Sequence, residues 1–416
     1  MIDFLFGSVG LLIGALVTTM AALRMRPLRL VLLVAFCLRA AAALFHRYVK
    51  PLPDGVADAV SFEQYAWHLA EQGFFAALVQ FPGYGGGWGY PWLVSFAYAL
   101  VDRSPLFMQS LSVVAGTLCV VAAYKLALRV WNHDAAIKAA WVTALFPMLI
   151  MYSALTMREA FIVLAFLIAL NYAAQWQASA RSKDLIFALM GFVVAGFFHG
   201  PMLLGAVVLL GLLGLGQAKR LVRTLQRATI SPLGLALAGL AIAALSVVAS
   251  GAFSIPYIGT IERGLSVDAW IALGQGQAHG GAAYPDWLAP DSVTHYLMLL
   301  PVRIAYFIGS PFPWDVRSLG HLLGLFDGAL YLIASFMIMR NLKSIWRNPS
   351  ARIVLLICVP MIFVYAIGVG NFGTALRHRA KFVVAMIVLA APLLPGLRLP
   401  AGSLYRRTPS AHPGAT

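Results

Sequence analysis

The chain has 416 residues, of which 61% are hydrophobic and only 11% are charged, and its formal net charge is +15. This composition excludes an ordinary soluble domain, because soluble proteins have about 25% charged residues. It indicates an integral membrane protein, and the basic excess is typical of cytoplasmic loops that face anionic lipid rather than of nucleic-acid binding.

Apolar runs close to twenty residues long recur from end to end, and each can cross the roughly 30 Å apolar core of a bilayer. The sequence predicts an all-α polytopic membrane protein with about eleven transmembrane helices. The predicted spans are Phe4–Leu23, Arg29–Phe45, Leu106–Val130, Ile137–Ala154, Ala160–Trp176, Leu185–Phe198, Met202–Gly216, Leu233–Ala252, Leu319–Met339, Ile353–Val369 and Phe382–Pro395. Two half-embedded external helices are predicted at Tyr90–Val101 and Tyr296–Ile308.

Lysine and arginine determine the predicted orientation, because short basic loops stay on the cytoplasmic side. They place the N-terminus outside and the C-terminus inside, with an uncleaved first span, since no basic segment precedes it. Residues 1–400 are expected to form one transmembrane domain with external loops at about 47–105 and 253–317. Residues 401–416 are expected to be a disordered cytoplasmic tail.

The first external loop is unusually acidic. Asp54, Asp58, Glu63 and Glu71 lie in residues 54–91, a segment without lysine or arginine. Because the whole chain has only 15 acidic residues, this cluster indicates a site. Asp58 and Glu63 are the candidate catalytic residues, since a carboxylate can take a proton from an acceptor hydroxyl. Asp54 is a weaker candidate, and a solvated external face is the plainer alternative.

The same loop contains a predicted helix. Phe62, Ala66 and Leu69 recur at helical spacing among polar residues, a pattern typical of an amphipathic helix on the membrane interface. A glycine-rich stretch follows at residues 83–89. We expect it to form mobile backbone near the aromatic belt of the membrane.

Arg158 and Glu159 lie between two apolar spans. Charged residues in that position are costly unless they are paired or functional. Glu159 is therefore a candidate catalytic residue and Arg158 a candidate substrate-binding residue. A purely structural ion pair is the alternative, and Glu159 would also complement the dipole of the helix that it begins.

A basic cluster, Arg377, His378, Arg379 and Lys381, falls where the alternation of spans predicts the external side. Arginine forks and exposed backbone N–H groups commonly bind phosphate. A lipid-phosphate donor or another anionic head group would supply that partner. If the topology were shifted by one span, the cluster would instead be cytoplasmic.

Two further polar residues are candidates for substrate binding. Arg39 lies in the outer half of the second span, where it could equally extend its charge to the interface. His199 lies in a tight turn before Gly200 and Pro201, where a structural role is the alternative.

Several of these residues lie in ordered motifs that resemble the external loops of the GT-C glycosyltransferases. The matching positions are Asp58-Ala59, Tyr65-Ala66, Leu69, Gly73, Gly89-Tyr90-Pro91, Pro147, Tyr152-Ser153 and Glu159. The resemblance covers about Arg39 to Leu170. It implies a GT-C-like fold and transfer of a sugar from a polyprenyl-phosphate-linked donor to a glycan or lipid acceptor. The place would be the periplasmic or external face of the bacterial cytoplasmic membrane.

The resemblance also implies roles for individual residues. Asp58 would act as the base or orient the acceptor, and Glu159 would stand near the donor phosphate or a metal. Family members often have a second acid after the loop aspartate, whereas Ala59 follows Asp58 here. Dependence on a divalent cation, Mg or Mn, is therefore left open.

Two other functions stay open from the sequence. One is a polymerase or ligase of polysaccharides such as O-antigen or exopolysaccharide, which would use external arginines in the same way. The other is a transporter or flippase of lipid-linked glycans. No nucleic-acid partner is expected, and soluble nucleotide sugars are not expected as donors because no Rossmann or Walker signature occurs in a suitable context.

Overall fold

The structure is a computed structural model that describes residues 2–225 and 281–396, together with Gly239 and Ala272. Within these ranges the chain is helical, and its one strand-like pairing is an isolated bridge between Ala283 and Asn371. The predicted span Leu233–Ala252, most of residues 253–280 of the predicted second external loop and the predicted tail lie outside the described residues.

Helices follow one another with short connections. Up to residue 225 they are α1 (Ile2–Arg24), α2 (Arg29–Tyr48), α3 (Asp58–Glu71), α4 (Phe74–Val79), α5 (Gly89–Val101), α6 (Pro105–Val130), α7 (His133–Leu145), α8 (Pro147–Ser153), α9 (Glu159–Ser179), α10 (Ser182–Phe198) and α11 (Leu204–Leu225). From residue 281 they are α12 (Val293–Gly309), α13 (Leu319–Arg340), α14 (Leu342–Arg347), α15 (Pro349–Gly368), α16 (Phe372–Arg379) and α17 (Val383–Ala390).

Six helices in the described ranges are long and apolar enough to cross a membrane, namely α1, α2 with the turn before it, α6, α9, α13 and α15. The bent pair of α7 and α8 makes a seventh if it is counted as one span. Helix α10 has 17 residues, and the apolar helices at 200–215 and 383–393 are also short. The all-helical membrane architecture is thus confirmed, whereas the total of about eleven spans and the orientation of the termini stay predictions.

The predicted span Ile137–Ala154 is interrupted. Helix α7 ends at Leu145 and α8 begins at Pro147, with an angle of 58° between them. Proline lacks an N–H group and disfavours helical backbone at the preceding residue, and Phe146 is accordingly extended. The bend directs α8 and Tyr152 towards the acidic loop.

Helices α6 and α9 form the centre of the described fold. Helix α9 packs against α6, α10 and α15, while α6 also contacts α1, α2 and α7. Small residues permit this close approach. A Cβ atom added to Gly191 of α10 would lie 2.8 Å from the Cβ atom of Ala169 in α9. The rigid packing of α9 fixes the position of its first residue, Glu159.

The predicted helix of the acidic loop is confirmed as α3. It buries Ala59, Phe62, Ala66 and Leu69, and it packs against α5, the predicted half-embedded helix. The ring of Phe62 meets Trp88 edge to face at 5.5 Å. Because both helices are packed in this way, the first residue of α3, Asp58, is held next to the start of α9.

Candidate functional site

Three distant parts of the chain meet at Arg377 in α16. Its Nε atom donates a hydrogen bond of 2.6 Å to Oε1 of Glu159, the first residue of α9. Its Nη1 atom donates to Oδ2 of Asp58, the first residue of α3. The Glu159 side chain is 2% exposed and the Asp58 side chain is 53% exposed. The arginine therefore joins one buried carboxylate to one that is open to solvent.

A cavity of about 260 Å³ opens beside this group. Its lining residues are Asp54, Ala57, Asp58, Met157, Arg158, Gly373, Thr374, Arg377 and His378. The cavity is smaller than the roughly 300–1,000 Å³ that drug-sized ligands occupy. It suits a single sugar ring or phosphate group, with the rest of a larger substrate outside.

Asp54 lines the same cavity, although the sequence indicated it as the weaker candidate. Its Oδ2 atom accepts a hydrogen bond of 2.9 Å from the hydroxyl of Tyr152 in α8. Burial raises the pKa of Asp54, while the Tyr152 hydrogen bond and the charge of Arg377 act in the opposite direction. The Asp54-Gly55 pair is a turn signal four residues before Asp58, and this signal could have placed both carboxylates together.

Arg158 is the most deeply buried cation that lines the cavity, with 6% of its surface exposed. Within the described part of the chain it makes no hydrogen bond or ion pair, and its Nε atom is buried without a hydrogen-bond partner. Its guanidinium lies 5.1 Å over the ring of Phe62 and against the backbone of Gly87. A buried guanidinium whose Nε atom has no acceptor is costly, so an anion in the cavity would be stabilised by Arg158.

His378 connects the cavity to a second layer of basic groups. Its ring stacks on His199 with 5.4 Å between centroids, and Lys381 Nζ lies 2.6 Å from His378 Nδ1. When Lys381 donates to Nδ1, the neutral ring carries its proton on Nε2. Burial, together with the neighbouring positive charges, lowers the pKa of His378 and of Lys381 well below their usual values. His378 is therefore a neutral ring that lines the cavity and contacts Lys381.

The structure thus brings together seven of the predicted site residues. These are Asp58, Arg158, Glu159, His199, Arg377, His378 and Lys381. They come from four separate segments of the sequence. Asp58, Arg158, Arg377 and His378 line the cavity, and Glu159, His199 and Lys381 contact Arg377 or His378.

Arg379 is not brought to the cavity. Its guanidinium pairs with Asp327 in α13 at 2.9 Å and donates to the carbonyl oxygens of Ile308 and Ser310 at 2.9 and 2.6 Å. All of these acceptors are protein groups, and the side chain is 2% exposed. This placement supports a structural role in joining α12, α13 and α16, in place of the predicted grip on phosphate.

Arg39 and Glu63 are also used elsewhere. Arg39 is buried in α2 and donates to the carbonyl oxygens of Thr143 and Ala144 at the end of α7. Glu63 forms a bidentate ion pair with Arg103, whose Nη2 and Nε atoms donate to the carboxylate at 2.7 and 2.9 Å. Glu63 lies about 140° around α3 from Asp58, because five residues separate them. Both contacts hold helices together and lie apart from the cavity.

The carboxylates do not fit a divalent cation. Asp58 and Glu159 share the guanidinium of Arg377, which occupies the place between them that a bridging cation would need. Among the described residues no group of three or more His, Cys, Asp or Glu side chains is arranged to hold a metal ion. We therefore derive no step through a metal.

No known family model matches the chain, and no curated protein is similar to it. Among solved structures, the chain resembles the archaeal oligosaccharyltransferase AglB from Archaeoglobus fulgidus, in complex with an inhibitory peptide and a dolichol-phosphate. The TM-score is 0.44 and the sequence identity is 16%, over 86% of this chain. The chain spans about half the length of that protein, since 50% of the latter is covered.

Proposed function

We propose that this protein is a GT-C-like membrane glycosyltransferase. It takes a sugar from a polyprenyl-phosphate or polyprenyl-pyrophosphate donor and adds it to a hydroxyl of a glycan or lipid acceptor. The observation that carries the proposal is the set of residues that line one small cavity. Solvent-exposed Asp58 lines it together with buried Arg158 and with Arg377, which forms an ion pair with Asp58. A group that accepts a proton and groups that receive a phosphate are both needed for this reaction.

Asp58 takes the proton of the acceptor hydroxyl as the acceptor oxygen bonds to the anomeric carbon of the sugar. The bond between that carbon and the phosphate oxygen breaks, and its electron pair leaves with the lipid phosphate. Arg158 and the Nε2–H of His378 stabilise the charge that develops on the leaving group. Lys381 donates a hydrogen bond to Nδ1 of His378 and so keeps the proton of the neutral ring on Nε2.

Glu159 and Arg377 position the reacting groups. Glu159 is buried at the start of a central helix, so it fixes the guanidinium of Arg377. Arg377 in turn holds Asp58 at the wall of the cavity. The planar guanidinium of Arg377 directs two N–H groups towards two carboxylates at once, in a fixed geometry that a lysine lacks.

The place of the reaction also belongs to the proposal. Basic residues near the inner ends of the spans predict that α3, the start of α9 and α16 lie at the external face of a bacterial cytoplasmic membrane. A lipid-linked donor would present its phosphate at that depth, next to the interface where α5 is predicted to lie half embedded.

A polysaccharide polymerase or ligase is the second candidate, because a lipid-pyrophosphate glycan would use the same buried Arg158. The two functions differ in product, since a polymerase transfers a whole repeat unit and a transferase a single sugar.

Asp58→Asn tests the proposed base with little change in volume. Purified protein in lipid nanodiscs, supplied with lipid-linked sugars extracted from source membranes, should lose transfer by about 100-fold or more. Asp54→Asn should lose much less, and Glu71→Gln should behave as wild type because Glu71 is exposed at the end of α3, away from the cavity. Wild-type transfer by a folded Asp58→Asn protein would remove the base from the proposal.

A further inference from the structure

A second cavity lies between α6 and α9, in the halves of these helices that are remote from Asp58. Its volume is about 420 Å³, and its lining is mostly apolar. The residues of α6 that line it are Leu118, Val121, Ala122, Lys125 and Arg129, and those of α9 are Leu164, Ile168, Asn171, Tyr172 and Gln175. Nothing in the proposed transfer reaction uses this cavity.

The length of this cavity matches one leaflet of a membrane. Along α6 it runs from Leu118 to Arg129, and along α9 from Leu164 to Gln175, so each wall spans twelve residues, or eleven steps along the helix. At a rise of 1.5 Å per residue each wall is about 16 Å long. Half of the apolar thickness of a bilayer is about 15 Å. The cavity is therefore as deep as the acyl region of a single leaflet.

The polar groups of the cavity gather at one end. Lys125 and Arg129 are one helical turn apart on α6, exposed, and without a hydrogen bond or salt bridge to any described residue. The acid near this end, Asp184, already accepts hydrogen bonds from Gln175 and Ser179 at 3.0 and 2.6 Å. The two cations are thus available to an anion from outside the protein.

We propose that this cavity, the α6–α9 groove, binds one anionic phospholipid of the leaflet opposite the acidic cavity. An acyl chain lies along the apolar walls, and the phosphodiester lies between Lys125 and Arg129. A protein helix would need a groove wider than the space between the packed helices α6 and α9. The two cations and the depth of one leaflet therefore favour an anionic lipid as the occupant. With the predicted orientation, the leaflet is the cytoplasmic one.

The proposal is tested by native mass spectrometry of the full chain released from nanodiscs that contain phosphatidylglycerol and phosphatidylcholine in equal amounts. We expect one retained phosphatidylglycerol on the wild-type protein. The double variant Lys125→Gln/Arg129→Gln should bind this lipid about 30-fold more weakly, because each cation near an anionic lipid contributes about 1 kcal/mol. The control Lys343→Gln/Arg347→Gln removes two cations of the same spacing on α14 and should change nothing.

A second pair of variants tests the apolar part. Ile168→Trp adds bulk inside the groove and should reduce lipid retention, whereas Ile186→Trp adds the same bulk on α10, outside the groove, and should not. Both side chains are exposed on the surface of the protein, so both variants should fold. Equal retention of the two lipids, or equal effects of groove and control variants, would overturn the proposal. The result is independent of any transferase assay.

Discussion

Arg377 and Arg379 lie two residues apart on α16 and bind acids on opposite sides of that helix. Arg377 joins Asp58 and Glu159 at the cavity, whereas Arg379 joins Asp327 in α13. Two residues correspond to a rotation of about 200°, so adjacent basic residues of one cluster must face different surroundings. The cluster that the sequence presents as one phosphate-binding unit is therefore divided between a site and a structural contact.

The first prediction concerns that division. Arg379→Ala leaves Asp327 buried without its cation, which should destabilise the protein by about 3–5 kcal/mol. The double change Arg379→Met/Asp327→Leu removes both charges and should recover most of this loss. Thermal unfolding in detergent measures both variants. A stable Arg379→Ala protein that needs much more donor would contradict the structural role and restore the phosphate-binding one.

The second prediction concerns the glycine-rich stretch before α5. Gly87 has φ of +91°, and a Cβ atom there would lie 1.4 Å from Nη1 of Arg158, so Gly87→Ala must displace the guanidinium. Gly83 has φ of +84° but no neighbour within 4 Å of an added Cβ atom. Both alanine variants should carry similar backbone strain, of about 1–2 kcal/mol. Only Gly87→Ala should raise the donor concentration for half-maximal transfer, by at least about 10-fold.

Equal donor dependence of the Gly87→Ala and Gly83→Ala proteins would show that the position of Arg158 does not matter for the donor. In that case the loop would contribute through its flexibility alone.

The third prediction concerns pH. Burial and the nearby charges of Arg377 and Arg158 lower the pKa of Lys381, against the opposing effect of Glu159. As pH rises through this lowered pKa, Lys381 becomes neutral and His378 loses the cation behind it. Donor affinity should therefore fall with rising pH at values below the ordinary titration range of a lysine. Lys381→Arg stays charged in this range and should remove the decline. An unchanged decline in Lys381→Arg would assign the titration to another group.

The fourth prediction concerns divalent cations. Because Arg377 stands between Asp58 and Glu159, transfer should persist after treatment with EDTA. Titration with Mn²⁺, followed by electron paramagnetic resonance, should detect no bound ion at this pair in the wild-type protein. Arg377→Ala frees both carboxylates and should gain Mn²⁺ binding that Arg377→Ala/Asp58→Asn lacks. Loss of wild-type activity in EDTA with recovery in Mn²⁺ would contradict this account.

Hydropathy predicts most of the described helices, since each of the six long apolar helices coincides with a predicted span. The interruption at Pro147 is not predicted, since Ile137–Ala154 is assigned as one span, although a proline inside a helix favours a break. What the sequence cannot supply is the direction of each side chain. The Asn371 side chain caps α16 and so sets the register that points Arg377 and Arg379 apart. Glu63 illustrates the same limit, because its partner Arg103 lies 40 residues away.

The turn signal at Asp54-Gly55 indicates that Asp54 lies near Asp58, but the contact that holds Asp54 there depends on the bend between α7 and α8. That bend brings Tyr152 to the acidic loop, and its hydroxyl then holds Asp54 beside Asp58. Composition and spacing thus predict the acidic loop and the candidate positions Asp58, Glu159 and Arg377, whose roles stay predictions. The tertiary contacts determined which neighbouring charges share the cavity with them.

The central claim is that one sugar is transferred from a lipid phosphate with Asp58 as the base. Mass spectrometry of lipid-linked glycans tests it most directly, in a strain that lacks the gene and carries either the wild-type or the Asp58→Asn protein. The account predicts that the strain without the gene and the Asp58→Asn strain both lack one side-branch sugar, while the wild-type protein restores it. Shortened polymers with complete repeat units would instead indicate a polymerase or ligase, and accumulated cytoplasmic intermediates a flippase; either result would contradict the proposed transfer.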